Sequence, residues 1–390
     1  MPERDRPQQQ SGDRPIVAIV GAGVVGLGVA WRLAQAGARV TVCDRGTAGS
    51  GASYAAAGML AVCAEAEPGE QDLVALGRHS QALWPDFACE LEAASELSVD
   101  RRSEGTLVVA TTAADRARIA HHLAYQTSLG LPVAWISAAE ARRREPHLAT
   151  GIAGAVWSPE DHQVDNRKLA AALHCAARKA GVDVREHCPV SRLLIRNDRV
   201  VGIGLEDATE IRADVVVLAA GAWSRDVEGL PSALRPPVRP IKGQMLSLQM
   251  DPAAPLLTHV VRAHNVYLVP RRDGRLIVGA TTEEKGFDTT LTAGGVLALL
   301  EAAWRLVPSI EDLPIAEMWV GHRPGSRDDA PILGPGPIDG LVYATGHHRN
   351  GILLTPVTAN MIARLVLDGV TDPAIAAFGL ERFQPARAAE

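Results

Sequence analysis

One stretch near the start of the chain, "IVAIVGAGVVGLGVAWRL" at residues 16–33, restricts the fold more than any other. Ile16 to Val20 is a short unbroken apolar run, as expected of a strand buried on both faces. It runs into Gly21-Ala22-Gly23-Val24-Val25-Gly26, a G-x-G-x-x-G pattern. In that position Gly21 permits a tight turn, Gly23 lets a pyrophosphate approach the backbone, and Gly26 lets the following helix lie close to the strand. The helix is marked by Val25, Val29 and Leu33 on one face, with Gly37 where a left-handed stop is expected. Val40 to Cys43 reads as the second strand, and Asp44 ends it where a carboxylate accepts ribose hydroxyls. Strand, triplet, helix, strand and acid in this order predict a dinucleotide site at a helix N-terminus. NAD and FAD both satisfy it.

The rest of the chain favours FAD. A nicotinamide enzyme completes its site in one contiguous run of alternating strands and helices, and here the alternation stops after Asp44. A loop of small residues follows, "RGTAGSGASYAAAGML", and then helical stretches around Leu73–Ala94 and Asp115–Leu129. The α/β pattern returns twice. Lys168 to Ala180 is a helix stopped at Gly181, followed by a strand, a three-strand meander turning near Asn197 and Asp207, and a buried strand Val215 to Leu218 ending at Gly221. Then "LVYATGHHRNGILLTPVTANMIARLVLDG" gives strand, glycine turn and a helix with Gly369 past its end. Three separated pieces, each with a glycine turn, suit a ligand too long for one βαβ unit. The loop Gly346 to Gly351 is expected at the isoalloxazine end, where a helix N-terminus and Arg349 place positive charge. A half metal site at His347 and His348 is disfavoured because no further ligand stands at metal spacing.

A different texture separates the second and third pieces. "RPPVRPIKGQMLSLQM" and "HNVYLVPRRDGRLIVGATT" are β-rich, Asp273-Gly274 marks a hairpin, and Glu317 to Val320 reads as another strand. The expected fold is a discontinuous α/β, Rossmann-like FAD-binding domain (residues 15–95, 158–235 and 326–385). It is joined to an α+β substrate domain on an antiparallel sheet (96–157 and 236–325). Residues 1–14, polar and low in apolar content, read as a disordered extension.

With 390 residues and a formal charge of −6 without long like-charge runs, the chain has no basic footprint for nucleic acid or an anionic membrane. Small-molecule chemistry is the expectation. Cys43, Cys63, Cys89, Cys175 and Cys188 are odd in number and lack a C-x-x-C pair, which predicts reduced thiols in a cytoplasmic protein and neither disulfides nor zinc. The uncharged run Ile16–Trp31 mimics a signal peptide, but four glycines at fingerprint spacing argue against that reading.

The segments "YAAAGML", "PIKGQMLSL", "YLVPRRDGRLIVGAT", "WVGHRPGSRDDAPILG" and "GHHRNGILLTP" resemble the D-amino-acid-oxidase-like flavoprotein family, and within it the glycine-oxidising branch linked to thiamine biosynthesis. The likeness runs from Ile16 to about Phe383. It implies non-covalent FAD against Val24, Val25, Asp44, Arg45, Ala52, Ser53, Ala57, Gly58 and Met59, with Val190 at the adenine. His347, His348, Arg349, Asn350, Gly351, Ile352 and Leu353 would lie along the isoalloxazine. It further implies a substrate carboxylate on Arg323 with help from Tyr267, Arg349 beside substrate and flavin, no obligatory acid or base, and a homo-oligomer, often a tetramer. Family members carry a histidine nearer the tyrosine than His264 stands to Tyr267, so no role passes to His264. No cysteine follows Cys188, which removes the C-terminal thioether of some relatives.

Chemistry supports these assignments from the residue side. Amine oxidation needs the Cα–H held under the flavin and a neutral amine, so positioning is most of the protein's task. A planar guanidinium fixes a carboxylate by two-point contact. The plainer readings are a solvated Arg323, a half-buried strand tyrosine at 267 and a core-filling Met59. The predicted reaction converts glycine, and more weakly sarcosine and D-alanine, with oxygen into an imine and hydrogen peroxide, the imine hydrolysing to glyoxylate and ammonia. Competing readings are a D-amino-acid dehydrogenase passing electrons to a quinone, an NAD-dependent dehydrogenase, and a non-catalytic FAD-binding partner of thiazole synthesis.

Overall fold

The structure is a computed structural model and describes residues 14–383. Of the extension expected over residues 1–14, all but Arg14 lies outside the described residues. The first layer is a six-stranded sheet whose edge-to-edge order is Ile332–Pro335, Leu341–Thr345, Val215–Leu218, Ile16–Val20, Arg39–Cys43 and Asp183–Arg185. All pairings are parallel except that of Ile332–Pro335 with Leu341–Thr345. The unbroken apolar run of the first strand has a direct cause, because both faces are covered. Val17 and Ile19 pack with the helices Val24–Gln35, Asn166–Lys179 and Thr355–Asp368. Ala18 and Val20 pack with Leu193, Val200 and Ile203 of the antiparallel meander Val190–Arg196, Arg199–Leu205 and Glu210–Arg212.

The second sheet has eight strands, in the order Ile315–Gly325, Arg239–Gln249, Arg275–Gly279, Val266–Pro270, Val260–Ala263, Thr106–Ala110, Gly154–Ser158 and Ala134–Ile136. It is antiparallel apart from Val260–Ala263 beside Thr106–Ala110. Side chains alternate across it. Leu246, Leu248, Leu268 and Val278 face a core shared with the helix Ala293–Leu306, and Met245, Val269, Ile277 and Trp319 face the glycine-turn layer and meet Ala55 and Ala57.

The helices, the meander and the hairpin over Asp273-Gly274 follow the expectations. Gly369 ends its helix at φ 68°. The helix Ala293–Leu306 and the edge strand Ile332–Pro335 were not expected. The first hides in an apolar run opened by Gly294-Gly295, poor helix formers held by a Thr292 cap. Among the described residues no helix is long and apolar enough to cross a membrane.

Candidate active site

Between the two sheets lies a cavity of about 1810 Å³, larger than the few hundred to about 1,000 Å³ of an ordinary ligand pocket and proportionate to a dinucleotide plus a small substrate. At one end is the glycine turn. Gly21 has φ +107°, and a Cβ there would stand 2.4 Å from Ala219 O. Gly26 tolerates none either, since its Cβ would meet Gly21 O at 2.0 Å. Gly26 lies beneath the turn and packs helix on strand, so it is absent from the cavity wall, whereas Gly21, Gly23, Val24 and Val25 line it. Gly23, at the N-cap of Val24–Gln35, offers no capping side chain, which leaves first-turn N–H groups for an anion. Asp44 accepts from Ala22 N at 2.7 Å and Gly46 N at 2.8 Å, so the acid also braces the loops it joins. Arg45 stacks on Trp223, 4.9 Å from the ring centre, and Val190 lines the same end.

The loop of small residues forms the middle of the wall. Ser53 Oγ accepts from Val24 N at 3.0 Å and ties this loop to the turn, while Ala52, Ala57, Gly58 and Met59 line the cavity. Arg271, fully buried, donates to Ala57 O (2.7 Å), Asn166 Oδ1 (3.0 Å), Gln163 Oε1 (2.8 Å) and Val164 O (2.7 Å). Burial lowers its pKa to about 10 and still leaves it charged at neutral pH. Neither Arg271 nor Asn166 carries a local sequence signal as a brace of this loop.

At the far end Gly346 (φ +72°) opens the turn holding the two histidines. His347 Nε2 pairs with Thr358 Oγ1 at 3.2 Å, and burial pushes its pKa down to about 4. His348 (φ +45°) also falls to about 4, burial outweighing Asp329, whose Oδ1 lies 3.6 Å from its Nδ1. Both rings are neutral at pH 7. His347, His348, Arg349, Asn350, Gly351 and Ile352 line the cavity, but Leu353 does not. Its side chain is in the core, and its carbonyl accepts from Ser80 Oγ (2.6 Å) and Trp84 Nε1 (2.9 Å). The regular helix starts only at Thr355, so the loop, not the helix's first turn, meets the cavity.

Three arginines converge here in different charge states of company. Glu65 holds two of them, Arg262 Nη1 at 2.7 Å and Arg349 Nε at 3.1 Å, and Glu70 takes Arg349 Nη2 at 3.1 Å. Burial acts to raise the Glu65 pKa, but Arg262 and Arg349 outweigh it and keep the carboxyl below its ordinary value. Arg349 therefore lines the cavity as a cation already paired with Glu65 and Glu70. Arg323 differs. Its Nη1 donates to Thr281 O at 3.2 Å, and among the described residues no carboxylate pairs with it. It lies over Gly243, where a Cβ would be 2.6 Å from Nη1. Tyr267 stands on the same wall over Gly279, its phenol pKa raised by burial, so it is a hydroxyl donor at neutral pH. His264 sits exposed at a hairpin tip on the cavity rim.

These features fit FAD: a turn that admits no Cβ, a helix N-terminus whose N-cap carries no side chain, an acid at the second strand end and a small-residue wall leading to a cationic end. Cys43 is the cysteine on the cavity wall, and burial pushes its thiol up to about 12, so it is no thiolate. All five cysteines are free.

Residues 17–365 match the FAD dependent oxidoreductase family. The chain is 37% identical to the bifunctional protein ThiO/ThiG of Trichormus variabilis over 94% of this chain and 55% of that protein. It therefore spans about half the length of such two-part relatives. It is 39% identical to the glycine oxidase of Geobacillus kaustophilus, covering 94% of this chain and 96% of that one. The crystal structure of glycine oxidase from Geobacillus kaustophilus superposes with a TM-score of 0.89 at 37% identity, over 95% of this chain and all of that one. Iminodiacetate oxidase from Chelativorans sp. BNC1 superposes at 0.84 with 30% identity, over 93% and 98%.

Proposed function

The chain belongs to the FAD-dependent oxidoreductase family, and from that premise we propose that it is a glycine oxidase, with sarcosine and D-alanine as weaker substrates. The net reaction takes glycine, oxygen and water to glyoxylate, ammonium and hydrogen peroxide. The C–N bond is first oxidised to an imine by loss of two electrons and two protons, and water then hydrolyses it. Non-covalent FAD supplies the two-electron acceptor and its reoxidation by oxygen. Everything else is positioning by the chain.

One observation carries this reading: of the three arginines that converge at the 346–351 end of the cavity, Arg323 is the one without a carboxylate partner among the described residues, set on a strand beside a protonated Tyr267. One unpaired cation at this end suits one substrate carboxylate held by two-point contact, with Tyr267 donating a further hydrogen bond. The neutralised Arg262 and Arg349 close the remainder of that end against a second anion. The cofactor contacts we assign to Gly21, Gly23, Val24, Val25, Asp44, Arg45, Ala52, Ser53, Ala57, Gly58, Met59, Val190 and residues 347–352, with Gly26 acting from beneath the turn. We further assign residues 15–95, 158–235 and 326–385 to cofactor binding and 96–157 and 236–325 to the substrate. The protein acts in the cytoplasm as a homo-oligomer of the tetrameric type, its imine feeding thiazole synthesis for thiamine. Likeness to two-part proteins named ThiO/ThiG supports that metabolic placing.

The test is peroxide release in air by the purified yellow protein given glycine, sarcosine, D-alanine and D-proline in parallel. Peroxide with glycine leading is the expected result. Bleaching of the visible bands without peroxide would replace the oxidase by a dehydrogenase, and no bleaching by any amine would end the amine reading.

A further inference from the structure

Lys242 has no exposure to solvent, and oxidation of an amine makes no use of it. It precedes the Gly243 that underlies Arg323, and strand alternation turns it to the face away from the cavity. There its Nζ donates to Asp288 Oδ2 and Thr290 O, both at 2.6 Å, and lies 3.8 Å from Glu283 Oε2. The backbones of Lys242 and Glu283 exchange N–H···O bonds of 3.0 and 2.9 Å. Gln244, next on that face, donates to Glu283 Oε1 (2.8 Å) and accepts from Thr292 N (2.8 Å). Thr281 Oγ1 donates to Glu283 Oε1 (2.6 Å) and accepts from Gln244 N (2.8 Å), and His322 Nε2 meets Asp288 O at 3.0 Å.

Residues 281–292, which contain no helix or strand, are thus strapped to the back of the sheet around one buried ammonium. The strap delivers two things to the cavity. Thr281 O accepts from Arg323 Nη1, and Thr292 caps the helix Ala293–Leu306, whose Ala298, Leu299 and Ala302 line the cavity mouth. Hydrogen bonds from Thr281 and Gln244 hold Glu283 down to about 2, and those from Lys242 and Thr290 hold Asp288 below its ordinary value, so the ammonium faces two anions throughout the neutral range.

We propose that Lys242 is a positioning residue for substrate binding: by strapping residues 281–292 to the sheet it fixes the Thr281 carbonyl, and with it the Arg323 guanidinium that receives the substrate carboxylate. This rests on the reading of Arg323 as carboxylate anchor. Loss of the ammonium frees the strap and lets the guanidinium swing out of two-point geometry, which weakens capture of a carboxylate and spares the chemistry that follows.

The experiment compares FAD-loaded wild type, Lys242→Met, Asp288→Asn and Arg323→Ala. It measures the dissociation constant of glycolate by its perturbation of the visible bands, and kcat and KM for glycine and for glycine ethyl ester, which lacks the carboxylate anion. For Lys242→Met and Asp288→Asn we expect glycolate affinity and glycine KM each to worsen about tenfold, kcat to stay within about twofold, and the ester to be unaffected. Asp288→Asn alters a partly exposed partner and carries the test if Lys242→Met fails to fold. Equal losses for glycine and ester, or unchanged glycolate affinity in folded, yellow variants, would overturn the positioning role. Failure of the parent reading shows separately, as glycolate affinity retained in Arg323→Ala.

Discussion

Arg323 shows what a single residue contributes when its neighbours are already neutralised. Arg323→Ala removes the unpaired cation of the 346–351 end and leaves the glycine turn, the small-residue wall and the 347–352 loop untouched. The expected outcome is a yellow protein whose glycine KM rises on the order of a hundredfold, with a smaller change in kcat. Steady-state kinetics beside a flavin-to-protein absorbance ratio check it, and loss of flavin would make Arg323 a structural residue instead. Arg323 and Tyr267 were legible in the sequence only through family resemblance, since an arginine between glycines has no spacing signal of its own. Glu65 was not legible at all. Its partners are 197 and 284 residues away, and only folding reveals that it neutralises two of three cations. Arg271 was missed for the same reason, 214 residues from the Ala57 carbonyl it holds.

At the scale of elements, the sequence was most informative where local chemistry and tertiary demand coincide. The first strand, turn and helix were legible because burial on both faces and the missing Cβ atoms act within eleven residues. Gly21→Ala tests this directly. A Cβ would lie 2.4 Å from Ala219 O in a backbone held at φ +107°, so strand and turn must separate. We expect a colourless protein, with FAD affinity lowered at least about tenfold if the fold survives. Fluorescence titration of the apoprotein with FAD reads this, and a normally yellow variant would show that the turn has slack the geometry denies. The helix Ala293–Leu306 was illegible because its N-terminus depends on a Thr292 side chain that itself accepts from Gln244 Nε2, a contact 48 residues distant. The start of the last helix at Thr355 escaped for a different reason. Residues 351–354 form turns whose backbone bonds resemble a helix without becoming one, and a sequence pattern does not separate the two.

On the scale of the whole molecule, the buried titratable groups set how stability answers to pH. His347 and His348 fall from an ordinary 6.5 to about 4 through burial. Between those values an unfolded chain binds two protons that the folded chain refuses, so their contribution is complete above pH 6.5 and is lost as pH falls toward 4. Asp161 acts oppositely. Burial raises it from 3.8 to about 6, despite hydrogen bonds from Cys63 N and Ala64 N, so in its window the folded chain holds a proton the unfolded chain releases. From pH 4 to 6 these three groups balance at two protons against one, His162, lowered by burial, adds to the loss and Glu70, raised by burial, opposes it, so stability should decline with acidification by on the order of 1 kcal/mol per pH unit. Carboxyls held below their ordinary values, Glu65 and Glu283 among them, add to the loss only below about pH 4.5. Urea midpoints at fixed saturating FAD across pH 4 to 7 would show this slope, and His347→Gln, which removes one of the protons the folded chain refuses, should make it distinctly shallower. A wild-type midpoint that rose on acidification would mean that the two rings take up protons inside the folded cavity, next to Arg323 and Arg349, and that the 346–351 loop opens to water.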